Sequence, residues 1–134
     1  MGVLVVLLLD SHIVVWIVAD SKRLSRPAAS AIRRARQDGG LAVSAITMWE
    51  LAWLLARRRI QAYGTIEVSV RLLLEGLTIL PITTEIAALA AQFPDGYPRD
   101  PADRIIGATA RAEGLTLVTR DENIRHSPLL KTVW

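Results

Sequence analysis

Four acidic residues stand where an α/β chain does its chemistry: Asp10, Glu50, Asp103 and Asp121. Asp10 ends an apolar run that begins at Val3, while Thr119 and Asp121 follow a second run, Leu115 to Val118. Glu50 lies two turns into the helix pattern after a short apolar run at 41–43, and Asp100 and Asp103 open the helix pattern before Leu115. In parallel sheets, ligands bind beyond the carboxyl ends of the strands, so these acids are placed to meet. Two carboxylates about 4 Å apart repel by roughly 1–4 kcal/mol at dielectrics between water and a protein surface. Four of them on one sheet edge require a cation, and oxygen-only ligands select a hard ion, Mg2+ or Mn2+, over zinc. Such a centre activates water and steadies charge on a phosphoryl group, the chemistry of a metal-dependent nuclease.

Each acid also has a plainer explanation. Asp10 can cap the first helix, Asp100-x-x-Asp103 reads as a capping box, and Asp121 as a turn residue. Glu50 is the hardest to explain away. It shares a helix stripe with Ile46, Trp53 and Leu54, an otherwise apolar face on which an unpartnered carboxylate is costly. A bound ligand is the favoured reading there.

Composition narrows the chemistry further. The chain has 134 residues, 51% of them hydrophobic, which suits one folded domain spanning 1–134 and argues against disorder. It has no cysteine and only two histidines, His12 and His126, so disulfides, thiolate nucleophiles and Cys-ligated zinc are excluded. Both histidines read as packing or surface residues. The net charge is +3, with 16 Lys and Arg of which only Lys22 and Lys131 are lysine. Arginine suits bidentate phosphate recognition, although arginine- and alanine-rich composition also follows from genomic base content. The Arg57-Arg58-Arg59 run reads as a solvated helix end. Trp16, Trp49 and Trp53 lie on apolar stripes and read as core or interface rather than as stacking platforms.

The elements that must position these residues can be read in order. The apolar runs at 3–9 and 13–19 are broken by Asp10, Ser11 and His12, which argues against a membrane span; a signal peptide's basic start and cleavage site are also missing. A cytoplasmic protein is expected. Val3 to Leu9 reads as a strand buried on both faces. A helix through Ile13–Ala19 follows, then one capped by Ser25 and ended by Gly39-Gly40. Leu41–Val43 is a strand, and Ser44 opens a long helix to about Arg59. After a turn at 61–64, Thr65 caps a helix ending near Gly76, and Leu77–Leu80 is a third strand. Thr83 or Thr84 caps a helix over Glu85–Gln92. The Pro94–Pro101 stretch is a loop, from which Asp100 caps a helix ended by Gly114. Leu115–Val118 is the fourth strand, a turn lies at Asp121, and Lys131–Trp134 is a fifth, edge strand. This alternation, without hairpin signals, predicts an α/β sandwich around a mainly parallel sheet of four to five strands.

Four stretches together carry a resemblance: Leu8-Leu9-Asp10-Ser11-His12, Ser44-Ala45-Ile46-Thr47-Met48-Trp49-Glu50-Leu51, the run from Asp100-Pro101-Ala102-Asp103-Arg104 to Ala108-Thr109-Ala110, and Leu117-Val118-Thr119-Arg120-Asp121. In order and spacing, over almost the whole chain, they resemble the PIN domain, and more narrowly the VapC-type toxins of bacterial type II toxin–antitoxin modules. The resemblance implies a PIN-like three-layer sandwich and a Mg2+- or Mn2+-dependent endoribonuclease. It places the metal-binding and catalytic acids on Asp10, Glu50, Asp103 and Asp121, with Asp10 and Asp103 most directly associated with the metal. Thr119 is similar to a hydroxyl that orients acids or water, and Asp100 is either a further ligand or only a cap. Arg99 and Arg104 flank the acids and either grip RNA or serve structure, Arg104 by pairing with Asp100. The first motif carries Ser11 where threonine is common. The same resemblance implies an RNA substrate, a VapB-type antitoxin partner and a homodimer.

The rival is a PIN-like module that binds protein or RNA without chemistry. A phosphoacceptor domain fails for want of paired acids and a suitable lysine, and an Asp-x-Asp phosphatase fails because residue 12 is His. No glycine-rich phosphate loop is present.

Overall fold

The computed structural model describes residues 6–134, so Val3 to Val5 of the expected first strand lie outside the described residues. Five strands, β1 (Val6–Leu9), β2 (Gly40–Ser44), β3 (Thr78–Leu80), β4 (Thr116–Val118) and β5 (Thr132–Val133), pair in the order β3-β2-β1-β4-β5. Every pairing is parallel. β1 is thus the centre of the sheet, and its carboxyl end lies beside those of β2 and β4.

Alternation along the strands splits the core into two layers. Leu7, Leu9, Leu41, Val43 and Val118 face one side, where α1 (Ser11–Ala19) and α2 (Arg26–Asp38) pack through Ile13, Val14, Ala28 and Ile32. Leu8, Ala42 and Leu117 face the other, against α5 (Thr84–Gln92) and α6 (Pro101–Glu113) through Ile86, Ala90, Ile106 and Ala110. The three-layer α/β sandwich is the one expected, with a sheet wholly rather than mainly parallel. Between β2 and β3 run α3 (Ala45–Ala56) and α4 (Ile66–Leu73), and α7 (Glu122–Arg125) follows β4. Among the described residues no helix is long and apolar enough to cross a membrane.

Several boundaries differ from the sequence reading, each for a local reason. The helix opened by Ser44 ends at Ala56, not near Arg59. Arg58 turns into the left-handed region at φ 56°, and the Arg59 N–H closes the end on the Leu54 carbonyl at 2.9 Å, a C-terminal stop. Thr83, not Thr84, caps α5 through the Ile86 N–H. Asp121 opens a one-turn helix, its Oδ1 accepting from the Asn123 and Ile124 N–H groups. Asp100 stands at the N-cap position of α6, yet its side chain accepts no capping bond. The cap reading of Asp100 is therefore corrected, and its carboxylate is not committed to the helix.

Candidate active site

Asp10 sits at the carboxyl end of β1, held from three directions. Its backbone N–H donates to the Val118 carbonyl at 3.1 Å, prolonging the β1–β4 ladder. Its Oδ1 accepts from the Ser11 N–H at 2.8 Å and its Oδ2 from the Thr119 hydroxyl at 2.9 Å. The Thr119 Oγ1 accepts in turn from the Asp121 N–H at 3.1 Å. Asp10 therefore caps α1 and belongs to the cleft at once.

A second polar chain runs from the other side. The Ser11 Oγ donates to Glu50 Oε1 at 2.5 Å and shares a hydrogen bond with Thr47 Oγ1 at 2.9 Å. Glu50 projects from α3, and both hydroxyls are buried. Thr47 is the residue sequence reasoning missed. Its hydroxyl fastens Ser11, the residue that holds Glu50.

Five carboxylates, those of Asp10, Glu50, Asp100, Asp103 and Asp121, line one cleft of about 450 Å3. Burial and mutual repulsion both act on them. Asp103 is pushed up to about 7, first by burial and then by the charges of Asp10, Asp100, Glu50 and Asp121. Burial also raises Asp10, against the Thr119 hydrogen bond that lowers it. Glu50 is raised by burial, with Ser11 opposing. No ion pair among the described residues relieves this crowding, since Arg23–Asp20 and Arg71–Glu67 both lie elsewhere; His12 offsets it only in small part at Asp10 and Glu50. The donors are all hard oxygens. Among the described residues no three acidic or imidazole groups stand close enough to form a finished metal cage. The acids ring a cleft rather than a closed coordination shell.

The flanking residues divide. Arg104 does not pair with Asp100 among the described ion pairs. Its guanidinium turns to the loop before α6 and donates to the carbonyls of Ala90, Phe93, Pro94, Tyr97 and Pro98 at 2.8–3.4 Å. Arg99 is exposed and does not line the cleft. Tyr97 is buried against Phe93 and donates to the Asp103 carbonyl at 3.3 Å. His12 is exposed but lines the cleft, and His126 is exposed after α7. Trp16 and Arg120 also line the cleft.

Comparison with known proteins identifies the family. Residues 7–128 match the PIN domain family. Over 129 residues the sequence is 43% identical to Ribonuclease VapC22 of Mycobacterium tuberculosis, covering 95% of this chain and 97% of that protein. VapBC2 from Rickettsia felis, solved with a promoter DNA fragment, superposes with a TM-score of 0.74 at 17% identity, covering 95% of this chain and 96% of that one. FitAcB from Neisseria gonorrhoeae superposes at 0.60 with 26% identity, covering 94% and 95%. With the family match over residues 7–128 and 43% identity across most of its length, this chain belongs to the PIN-domain family and, within it, to the VapC type.

Proposed function

We propose that the protein is a Mg2+- or Mn2+-dependent endoribonuclease, the toxin of a toxin–antitoxin pair. The observation that carries this reading is the convergence of five carboxylates beyond β1, β2 and β4, none of them in an ion pair among the described residues. It is joined by the 43% identity to a ribonuclease, over 95% of this chain and 97% of that protein. Asp10, Glu50, Asp103 and Asp121 hold the cation, and Asp100, free of its helix, is the further ligand. When bound, a hard divalent ion supplies positive charge to a phosphoryl group and an acidified water.

The chain's own residues set up that chemistry. Ser11 and Thr119 fix the planes of the Glu50 and Asp10 carboxylates. Burial raises the proton affinity of Asp10, Glu50 and Asp103, which a bound cation would offset. The start of α6 points backbone N–H groups toward incoming phosphate. An RNA phosphodiester is the substrate, and a small VapB-type antitoxin is the partner that silences the cleft. Exposed apolar side chains such as Val18, Trp49, Tyr63 and Leu72 supply surface for that partner and for a homodimer. The reading places the protein in the cytoplasm.

One observation favours a rival, a PIN-like module that binds without cutting: the acids do not form a finished cage. Thermal unfolding with and without Mn2+, on wild type and on the Asp10→Asn/Asp103→Asn double variant, separates the two, together with cleavage of total RNA. Ligand at about 100 times its dissociation constant adds roughly 2.7 kcal/mol, several degrees for a domain this size. The nuclease reading expects that rise, and cleavage, only in wild type. Wild type that gains no stability and cuts no RNA at any Mn2+ concentration would overturn it.

A further inference from the structure

The acid cleft is bordered on both sides by tryptophan faces carrying arginine. On one side Trp16 is half-buried, backed by Trp134 at 5.9 Å between ring centroids. The Arg23 and Arg120 guanidinium carbons lie 5.6 and 5.9 Å from its ring centroid. Trp16 and Arg120 line the same cleft as the carboxylates. On the other side Trp49 and Trp53 stand on the outer face of α3, 60% and 40% exposed. The Arg57 guanidinium lies 5.0 Å from the Trp53 ring centroid. Trp49 and Trp53 line a second hollow that shares His12, Glu50 and Asp100 with the first. The acids are therefore the middle of one continuous surface.

This reverses the expectation that these tryptophans serve only as core or interface. An interface alone does not call for guanidinium groups over both Trp16 and Trp53, and a solvated helix end does not call for an indole under Arg57. An aromatic face beside a cation is what single-stranded nucleic acid uses: bases stack on the ring and phosphates meet the guanidinium. The negative cleft between the two faces repels phosphate unless cation-loaded, so the flanks must hold the strand.

We infer that Trp16 with Arg120, and Trp53 with Arg57, are two base-stacking subsites that hold an unpaired RNA strand across the acid cleft. The inference rests on the nuclease reading for the reaction, but its binding consequences do not. Bases on either side of the scissile phosphate are gripped by stacking, which tolerates many sequences. A duplex, whose bases are already stacked and turned inward, is excluded.

The test uses an unstructured, fluorescein-labelled 2′-O-methyl oligoribonucleotide, which resists cleavage, and the same strand annealed to its complement. Fluorescence anisotropy is recorded for wild type, Trp53→Leu, Trp16→Leu, Arg120→Gln and Asp103→Asn, with Mn2+ present. Trp53 is exposed, so its variant keeps the fold; Arg120→Gln tests the first subsite should Trp16→Leu fail to fold. The expected result is single-strand binding that weakens from about fivefold to about a hundredfold with each tryptophan lost, that falls with salt, and that exceeds duplex binding.

Equal affinity for single strand and duplex, or wild-type affinity in both Trp53→Leu and Arg120→Gln, would overturn the subsites. A change only in sedimentation, with binding unaltered, would assign the α3 face to a second copy of this chain instead. Cleavage of unmodified RNA keeps the two readings apart. Wild-type cleavage by Trp53→Leu and Arg120→Gln sinks the subsites and leaves the nuclease. Strand binding through both tryptophans with no cleavage by wild type sinks the nuclease and leaves the subsites.

Discussion

The Thr119 hydroxyl donates to Asp10 Oδ2 at 2.9 Å, joining residues 109 positions apart. It does so because β4 lies against β1 and both strands end at the same level, Leu9 beside Val118. Thr119 is buried, and its oxygen also accepts the Asp121 N–H. One hydroxyl thus ties together two acids of the cleft.

Replacing it tests that tie. Thr119→Val keeps the shape but strands the Asp10 carboxylate and the Asp121 N–H, at a cost of about 1–3 kcal/mol. The bond lowers the Asp10 pKa, so its loss moves the acid limb of the cleavage profile to higher pH. Thr119→Ser retains the hydroxyl and stays near wild type in both readouts. Chemical denaturation and a pH–rate profile of the two variants check this.

The raised acids predict an unusual dependence of stability on pH. Burial and the neighbouring carboxylates push Asp103 up to about 7 in the fold, from an ordinary 3.8. Between those values the folded state binds the proton more tightly than the unfolded state. Stability is therefore greatest at the acid end of that window and falls as pH rises through about 7. Asp10 and Glu50, also raised, act in the same direction. Melting temperature in EDTA should decline from about pH 5 to about pH 8, and saturating Mn2+ should flatten or invert the slope because it favours the ionised carboxylates. A melting temperature that climbs with pH in EDTA would contradict the crowding described above.

Arg104 answers five carbonyls of the segment that carries Tyr97 and leads to Asp100. Lysine has the charge but not the planar fork. Arg104→Lys should lose roughly 2–3 kcal/mol and require more Mn2+ for half-maximal cleavage, since the loop places Asp100 and the start of α6. Arg111→Lys, an exposed residue with one contact to the Leu129 carbonyl, is the control and should change little.

Gly107 lies under the Tyr97 ring. A methyl group there would overlap the Tyr97 hydroxyl and stand 2.9 Å from its Cζ and 3.2 Å from Phe93 Cε2. Both rings are buried and packed edge to face, so neither can swing away cheaply. Gly107→Ala gains up to about 1 kcal/mol of helix propensity and should nevertheless destabilise by about 1–3 kcal/mol. Calorimetry of the variant decides the sign.

Much of the frame was legible because β1 and β2 are short apolar runs ended by a polar residue that also caps the next helix, Asp10 and Ser44. Asp10 both stops β1 and caps α1, so one residue marked the boundary and the site together. Strand order was not legible, and with it the meeting of Asp10 with Thr119, which no local pattern encodes. Thr47 was hidden because the apolar residues of α3 spread around the helix, leaving no clear face to call buried. The same spread concealed Trp49 and Trp53, whose stripe reads as core until the packing shows which side is covered. Arg104 was unreadable for another reason. Its partners are backbone carbonyls, and a loop's carbonyl directions depend on a path that Pro and Gly only permit.

The central position of β1 also governs when the cleft comes into being. Its outer neighbours on one side, β2 and β3, are translated soon after it, but β4 and Asp121 come near the end of the chain. The segment up to α6 can dock β2 on β1 without Thr119 and Asp121, which reach the cleft only when β4 pairs with β1. Closure of that long loop is thus the step that completes the ring of carboxylates.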